Sequence, residues 1–369
     1  LYLKVLSKNK SEPDFNLNIA IAYFFDKKYD LAKKYFEITE KLTPNNDKFK
    51  KNFSLFLLFK QNYKKAWDIG DGRLNLQEYI VPGTWLDNFK DKVWRGEKIT
   101  NEKNILIIKE QGVGDEILYS TMYLEALKFF PNCLIETEER LLTLFKRSYN
   151  KDKIIPFLSI SKNKEKLKKI DKVIFSASLT RFFRNNKKDF ITKSSLKIDK
   201  NLEAETAYNL KKISIKKKIG ITWKSKREFL GESKSINIES FLPILKLNKD
   251  FDFINLQYGD VEEDLIKLKE KNIELIDLNV DLFNDFEKIA AILKNLDLFI
   301  TVSNSTAHLA GALNVKTWLI KPKTFALFHY WNQPNFSCPW YPSIRLIEQN
   351  KNVDEIINDL KNDLILFKN

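Results

Sequence analysis

Asp115 sits in "KEQGVGDEIL", directly after the apolar run Asn104-Ile105-Leu106-Ile107-Ile108, so Gly112 and Gly114 fall where a strand should turn into a helix. A carboxylate there stands at the carboxyl edge of a sheet, where open α/β folds bind ligands, and the helix dipole favours its ionised form. It could take the proton of an attacking sugar hydroxyl. It could also simply cap the helix. As a dinucleotide fingerprint the stretch lacks the third glycine, having Ile117 there, although Glu136 follows at the spacing expected of a ribose-binding acid. Both readings stay open on these residues alone.

A second constellation lies in "LDLFITVSNSTAHLAGALNVKTWLI". Ser303, Asn304, Ser305 and Thr306 open a helix whose unpaired amides suit a diphosphate, and His308 in its first turn could donate to a phosphate oxygen. An N-cap run followed by a core histidine is the alternative. Ala307, Ala310, Gly311 and Ala312 let that helix lie close on its strand. A third stretch, "GITWKSKREFLGESKSINIESF", leaves a strand at Trp223 and carries Lys224, Lys226, Arg227 and Lys234. Cations there could neutralise a departing nucleotide diphosphate, or could belong to a solvated loop.

The elements that would position these residues alternate. "NILIIK", "NCLIET" and "DKVIFSAS" read as strands, with "GDEILYSTMYLEALKFF" and "EERLLTLFKRSY" as helices between them. After the Lys-rich "KIDKNLEAETAYNLKKISIKKK" a second series begins, with strands at "KIGITW", "DFDFINLQY", "IELIDL", "DLFITVS" and "TWLIKP". Two tandem Rossmann-like units facing a cleft are expected. Upstream, "PDFNLNIAIAYFFDKKYDLAKKYFEITEKLTP" places Ala20, Tyr23, Tyr29, Ala32, Phe36 and Pro44 at the offsets of a helix-turn-helix repeat of about 34 residues. A weaker copy carries Tyr63 and Ala66. The expected division is a helical segment over 1–78, a connector over 79–103 containing Pro82 and Gly83, Rossmann-like units over 104–210 and 211–350, and a closing helix over 351–369 that packs back on the first unit.

Composition narrows the classes. The 369 residues carry 43% hydrophobic and 30% charged residues, so long segments can bury a core. The net charge of +14 comes from scattered Lys and Arg rather than a stripe, and no RNA-binding aromatic signature occurs, so nucleic acid is not the expected partner. Two cysteines and two histidines offer neither a disulfide framework nor a His-based zinc site, which fits a reducing, cytoplasmic location. No apolar run approaches the ~20 residues that span a bilayer. The chain begins at Leu1 and contains only Met122, as a fragment of a longer reading frame would.

Taken in order, "YKKAWDIGDGRL", "VWRGE", "EQGVGD", "FSASLTRFFR", "ITWKS…SKSI", "NLQYGD", the Leu296–Ile320 segment and "CPWYPSIRLIEQ" resemble tetratricopeptide-repeat (TPR) bacterial proteins. Their carboxyl half is similar to ADP-heptose:lipopolysaccharide heptosyltransferases of the GT-B fold. The resemblance implies metal-independent, inverting transfer from a nucleotide-diphosphate sugar to a protein or glycan acceptor. No cofactor beyond that donor is implied. The TPR segment would hold the acceptor, and a peripheral place on the inner membrane is compatible. Asp115 would be the general base. Gly112, Gly114, Trp223, Lys224, Lys234, Gln257, Ser303, Asn304, Ser305, Thr306 and His308 would bind the nucleotide sugar. The family commonly has Asp at Ser303, often Gly at Ser305 and Arg at Lys234, so the donor's identity does not carry over. A non-catalytic TPR adaptor with a degenerate transferase scaffold is the alternative, ahead of an NAD-type dehydrogenase.

Overall fold

Pro13 at the first turn, with φ already suited to a helix and no N–H to leave without a partner, starts helix α1 (Pro13–Phe25). Small residues at the facing positions let α2 (Tyr29–Leu42) pack against it, with Ala20, Ala32 and Phe36 fully buried. In the computed structural model, residues 12–75, 85–190, 194–226, 230–322, 326–333, 337–348 and 352–368 are described. The first eleven residues, Pro82, Gly83 and Arg227 lie outside them.

Helices α3 (Asp47–Phe59) and α4 (Tyr63–Gly70) form the next pair. Strand β1 (Ile105–Ile108) leads through the glycine loop into α5 (Val113–Ser120). The single long helix expected over "GDEILYSTMYLEALKFF" is broken at Thr121 and Met122, and α6 (Tyr123–Phe129) follows. Next come β2 (Cys133–Thr137), α7 (Glu139–Ser148), β3 (Ile154–Pro156) and β4 (Lys172–Phe175). The Lys-rich stretch is largely a helix, α8 (Lys200–Ile213), capped by Asp199, which accepts from the amides of Asn201 and Leu202. Beyond it lie β5 (Lys217–Ile221), β6 (Phe251–Asn255), α9 (Glu262–Glu270), α10 (Phe286–Lys294), β7 (Leu298–Val302), α11 (Ser305–Ala312), β8 (Thr317–Ile320), β9 (Ser337–Cys338), β10 (Tyr341–Ile347) and α12 (Val353–Phe367).

The residues divide into two compact units. The first comprises 1–107, 125–133 and 158–190. Its helical pairs share an aromatic core: Phe24 meets Phe56 at 5.5 Å and Phe36 meets Phe53 at 5.3 Å between ring centroids. A buried ionic knot ties α4 and the turn after it to the residues following β4. Asp71 accepts from Ser178 Oγ at 2.7 Å and Arg181 at 3.0 Å, and it pairs with Arg73. Burial works against ionisation there, but these partners outweigh it and hold the carboxyl below its usual range. Trp67 Nε1 donates to Arg184 O at 2.7 Å, while the buried Arg184 guanidinium grips Glu125 with two bonds of 2.9 and 2.7 Å. β1 lies beside β4.

The second unit comprises 108–124, 134–157 and 191–369. In it β2 pairs in parallel with β3, Ile135 opposite Ile154. Six strands form a sheet in the order β6-β5-β7-β8-β10-β9, parallel except for β9. Continuous apolar runs such as Leu298–Val302 are buried on both faces, as parallel strands between helices require. "IELIDL" makes only a bridge between Ile276 and Ile254.

Tyr341–Ile347, within "CPWYPSIRL", forms a strand that pairs with β8 along Ile344 to Ile347. One expectation is corrected here. The closing helix does not return to the first Rossmann-like series. Ile356, Ile357, Leu360 and Leu364 of α12 bury themselves against Ile219, Leu298, Ile300 and Trp318 of the six-stranded sheet. The apolar face of α12 repeats at helical spacing and so specifies burial, but spacing does not choose the surface that accepts it.

Candidate active site

Within the second unit, the amino termini of α5 and α11 meet. A Cβ placed on Gly114 would stand 2.8 Å from His308 Cδ2 and 3.5 Å from the Ser305 Cα, so only glycine permits this approach. The two stretches singled out in the sequence are therefore in direct contact rather than across open space. Gly112 is extended (φ −92°) and supplies the N-cap position of α5. Asp115, 4% exposed, accepts a bond from the Gly112 amide at 3.3 Å. It caps its helix, and it also lies near enough to Tyr341 to disfavour that phenol's ionisation, behind the dominant effect of burial.

On α11, Asn304 Oδ1 accepts from the Ala307 amide at 3.0 Å, and its amide group donates to Thr222 Oγ1 at 2.9 Å. The cap is thereby locked to the end of β5. Ser303 Oγ accepts from Trp331 Nε1 at 3.1 Å. Thr306 is buried and Ser305 half-buried. His308 is caged by Tyr330, Trp331 and Tyr341 at centroid distances of 4.7, 4.9 and 5.8 Å, with Nδ1 3.3 Å from Tyr341 Oη. Burial, with Lys234 and His329 nearby, pushes its pKa down to about 3. The imidazole is neutral at pH 7, so it brings hydrogen-bonding capacity and no charge.

Trp223 and Gln257 shape the loop after β5. Gln257 Oε1 accepts from the amides of Trp223 and Lys224 at 2.8 and 2.7 Å, and Trp223 Nε1 donates to Asp264 at 2.8 Å. Lys224 pairs with Asp264, and Lys234 lies 4.4 Å over the Phe328 ring. Gly311 serves as another close approach: a Cβ there would fall 2.4 Å from the Tyr341 ring. Asp285 caps α10 through the Lys288 amide, and Glu287 pairs with Arg147 at 2.6 Å, so both side chains are engaged away from the glycine loop. Asp250 and Asp252 are likewise engaged in ion pairs, with Lys368 and Lys218. Among the described residues no cluster of His, Cys, Asp and Glu is grouped to hold a metal ion.

Sequence reasoning passed over Glu116. It is fully buried and accepts from Thr137 Oγ1 and the Glu138 amide, with Lys109 Nζ at 4.0 Å. Burial pushes its carboxyl up to about 7 against the pull of Lys109 and these donors. Its native pKa exceeds the unfolded value near 4.5, so its contribution to stability is full below pH 4.5 and is lost as pH rises through about 7. Glu116→Gln is expected to flatten the fall in melting temperature between pH 5 and pH 8; an unchanged profile would assign that fall to other groups.

No family model matches the chain. Protein FlbA of Caulobacter vibrioides is 27% identical over 269 residues, which are 68% of this chain and 44% of that protein. The chain thus spans less than half the length of this relative. A solved glycosyl transferase of family 9 from Veillonella parvula aligns with 73% of this chain and 99% of its own, at a TM-score of 0.50 and 12% identity. The fold is similar to that of a family 9 glycosyl transferase. ADP-heptose LPS heptosyltransferase II of E. coli aligns with 72% of this chain and all of its own, at a TM-score of 0.49 and 12% identity. At such identities the likeness concerns the fold. No described helix is long and apolar enough to cross a membrane.

Proposed function

We propose that the chain is a glycosyltransferase of GT-B type that moves a sugar from a nucleotide-diphosphate sugar to a protein or glycan acceptor, without a metal and with inversion. The observation that carries this reading is the meeting of two helix amino termini at Gly114 and Ser305, one bearing Asp115 and the other a run of hydroxyls. The positive end of α11 suits the donor's phosphates, and Lys224 and Lys234 supply charge for the departing diphosphate. Asp115 at the start of α5 takes the acceptor's proton. The helical pairs over residues 13–70 are the end of a TPR array that presents the acceptor. Asp71, Arg181 and Arg184 bind them into their own unit, so the array is held rather than tethered.

The adaptor reading draws on one feature. Ser303, Asn304, Thr306 and His308 are all under a tenth exposed, and three of them already hold internal partners. Titration calorimetry with UDP-, GDP- and ADP-sugars separates the two. A transferase binds one of them and turns it over in EDTA; binding of none favours the adaptor, and loss of turnover in EDTA withdraws the metal-free mechanism.

A further inference from the structure

At the end of the six-stranded sheet opposite Ser303–Ser305, the amino ends of β5, β6 and β8 form one edge with the carboxyl end of α12. Polar contacts make this edge continuous. Lys217 Nζ donates to Phe367 O at 2.7 Å and to Lys368 O at 3.0 Å. Lys216 Nζ donates to Asn248 O at 2.9 Å, and Lys368 Nζ meets Asp250 at 2.6 Å. Lys316 Nζ stands 4.3 Å over the Phe367 ring.

Apolar side chains project from this edge into water. Ile215 is fully exposed at 104% and Leu366 is 74% exposed, with Ile213 and Ile365 beside them in sequence. Removing such tips from water is favourable, because it takes apolar surface out of contact with solvent. Lys211 and Lys212 on α8 directly precede Ile213 and are exposed as well. The acids of the edge are taken: Asp250 by Lys368, Asp252 by Lys218 and Lys216, and Asp363 by Arg345 at 2.6 Å. The excess charge is positive. A cavity of 750 Å³, with Lys316, Trp318 and Arg345 in its wall, opens at the start of β8.

From this combination we infer that the edge is a docking surface for an anionic phospholipid bilayer. Protruding aliphatic tips enter the acyl boundary while lysine stems reach the headgroups. Charge complementarity selects the bilayer over a protein groove, because juxtamembrane lysines gain from the surface potential of anionic lipid. The inference is independent of the transfer reaction.

The test is sedimentation of the full chain with vesicles of phosphatidylcholine alone and of phosphatidylcholine with phosphatidylglycerol in equal parts. Binding is expected to the second only, and to weaken at high salt. Ile215→Ser with Leu366→Ser, and separately Lys211→Glu with Lys212→Glu, should each lower the partition coefficient by roughly tenfold or more. These positions are exposed, so an unchanged melting temperature verifies that the fold is intact. Equal binding to both vesicles, no binding to either, or full binding by both variants would overturn the inference.

Discussion

Asp115→Asn is expected to bind the nucleotide-diphosphate sugar as the parent does and to lose transfer by roughly 10²- to 10⁴-fold, the range general-base catalysis supplies. The substitution separates two roles that coincide at this residue. As a cap, Asp115 accepts the Gly112 amide, and Asn accepts it equally well, so α5 should stay in place. As a base, it must take a proton, which an amide cannot do. Calorimetry measures the first role and a transfer assay with the donor so identified measures the second. Full transfer by the variant would leave Asp115 as a cap alone.

Gly114→Ala should fail differently, weakening nucleotide binding and stability together. Alanine normally stabilises a helix by about 1 kcal/mol over glycine. Here its Cβ would meet His308 Cδ2 at 2.8 Å, and the imidazole cannot yield, being 3% exposed and enclosed by Tyr330, Trp331 and Tyr341. Overpacking of this kind costs about 1–3 kcal/mol, so the net sign is destabilising. Relief requires α11 to shift, which moves the amides proposed to hold the phosphates. Thermal melting and the same calorimetry test this; a variant as stable as the parent, with parental affinity, would show that the two helices do not pack at Gly114.

The missing third glycine of "KEQGVGDEIL" illustrates how much was legible. Position 117 holds a fully buried isoleucine on α5, while the tight approach occurs at Gly114 against another segment almost two hundred residues away. No spacing rule within the motif reports that. Glu116 was likewise invisible, because a glutamate in a helix reads as a solvated face until Thr137 and the Glu138 amide converge on it. Tyr341–Ile347 was passed over because two prolines in "CPWYP" signal a connector; β10 instead takes Pro342 beside its bulge against β9, where a missing amide is tolerated.

Local chemistry in the sequence alone determined the alternation of strands and helices, the caps at Asn304 and Asp199, and the small-residue contacts of the first helical pair. Each depends on residues close to one another in the chain. Tertiary structure decided which surfaces meet: α11 on the glycine loop, α12 on the six-stranded sheet, and Trp331 on Ser303. These choices rest on close packing between segments far apart in the chain, where tenths of an ångström at a glycine or a ring determine what fits, and hydrophobic periodicity carries no address for its partner.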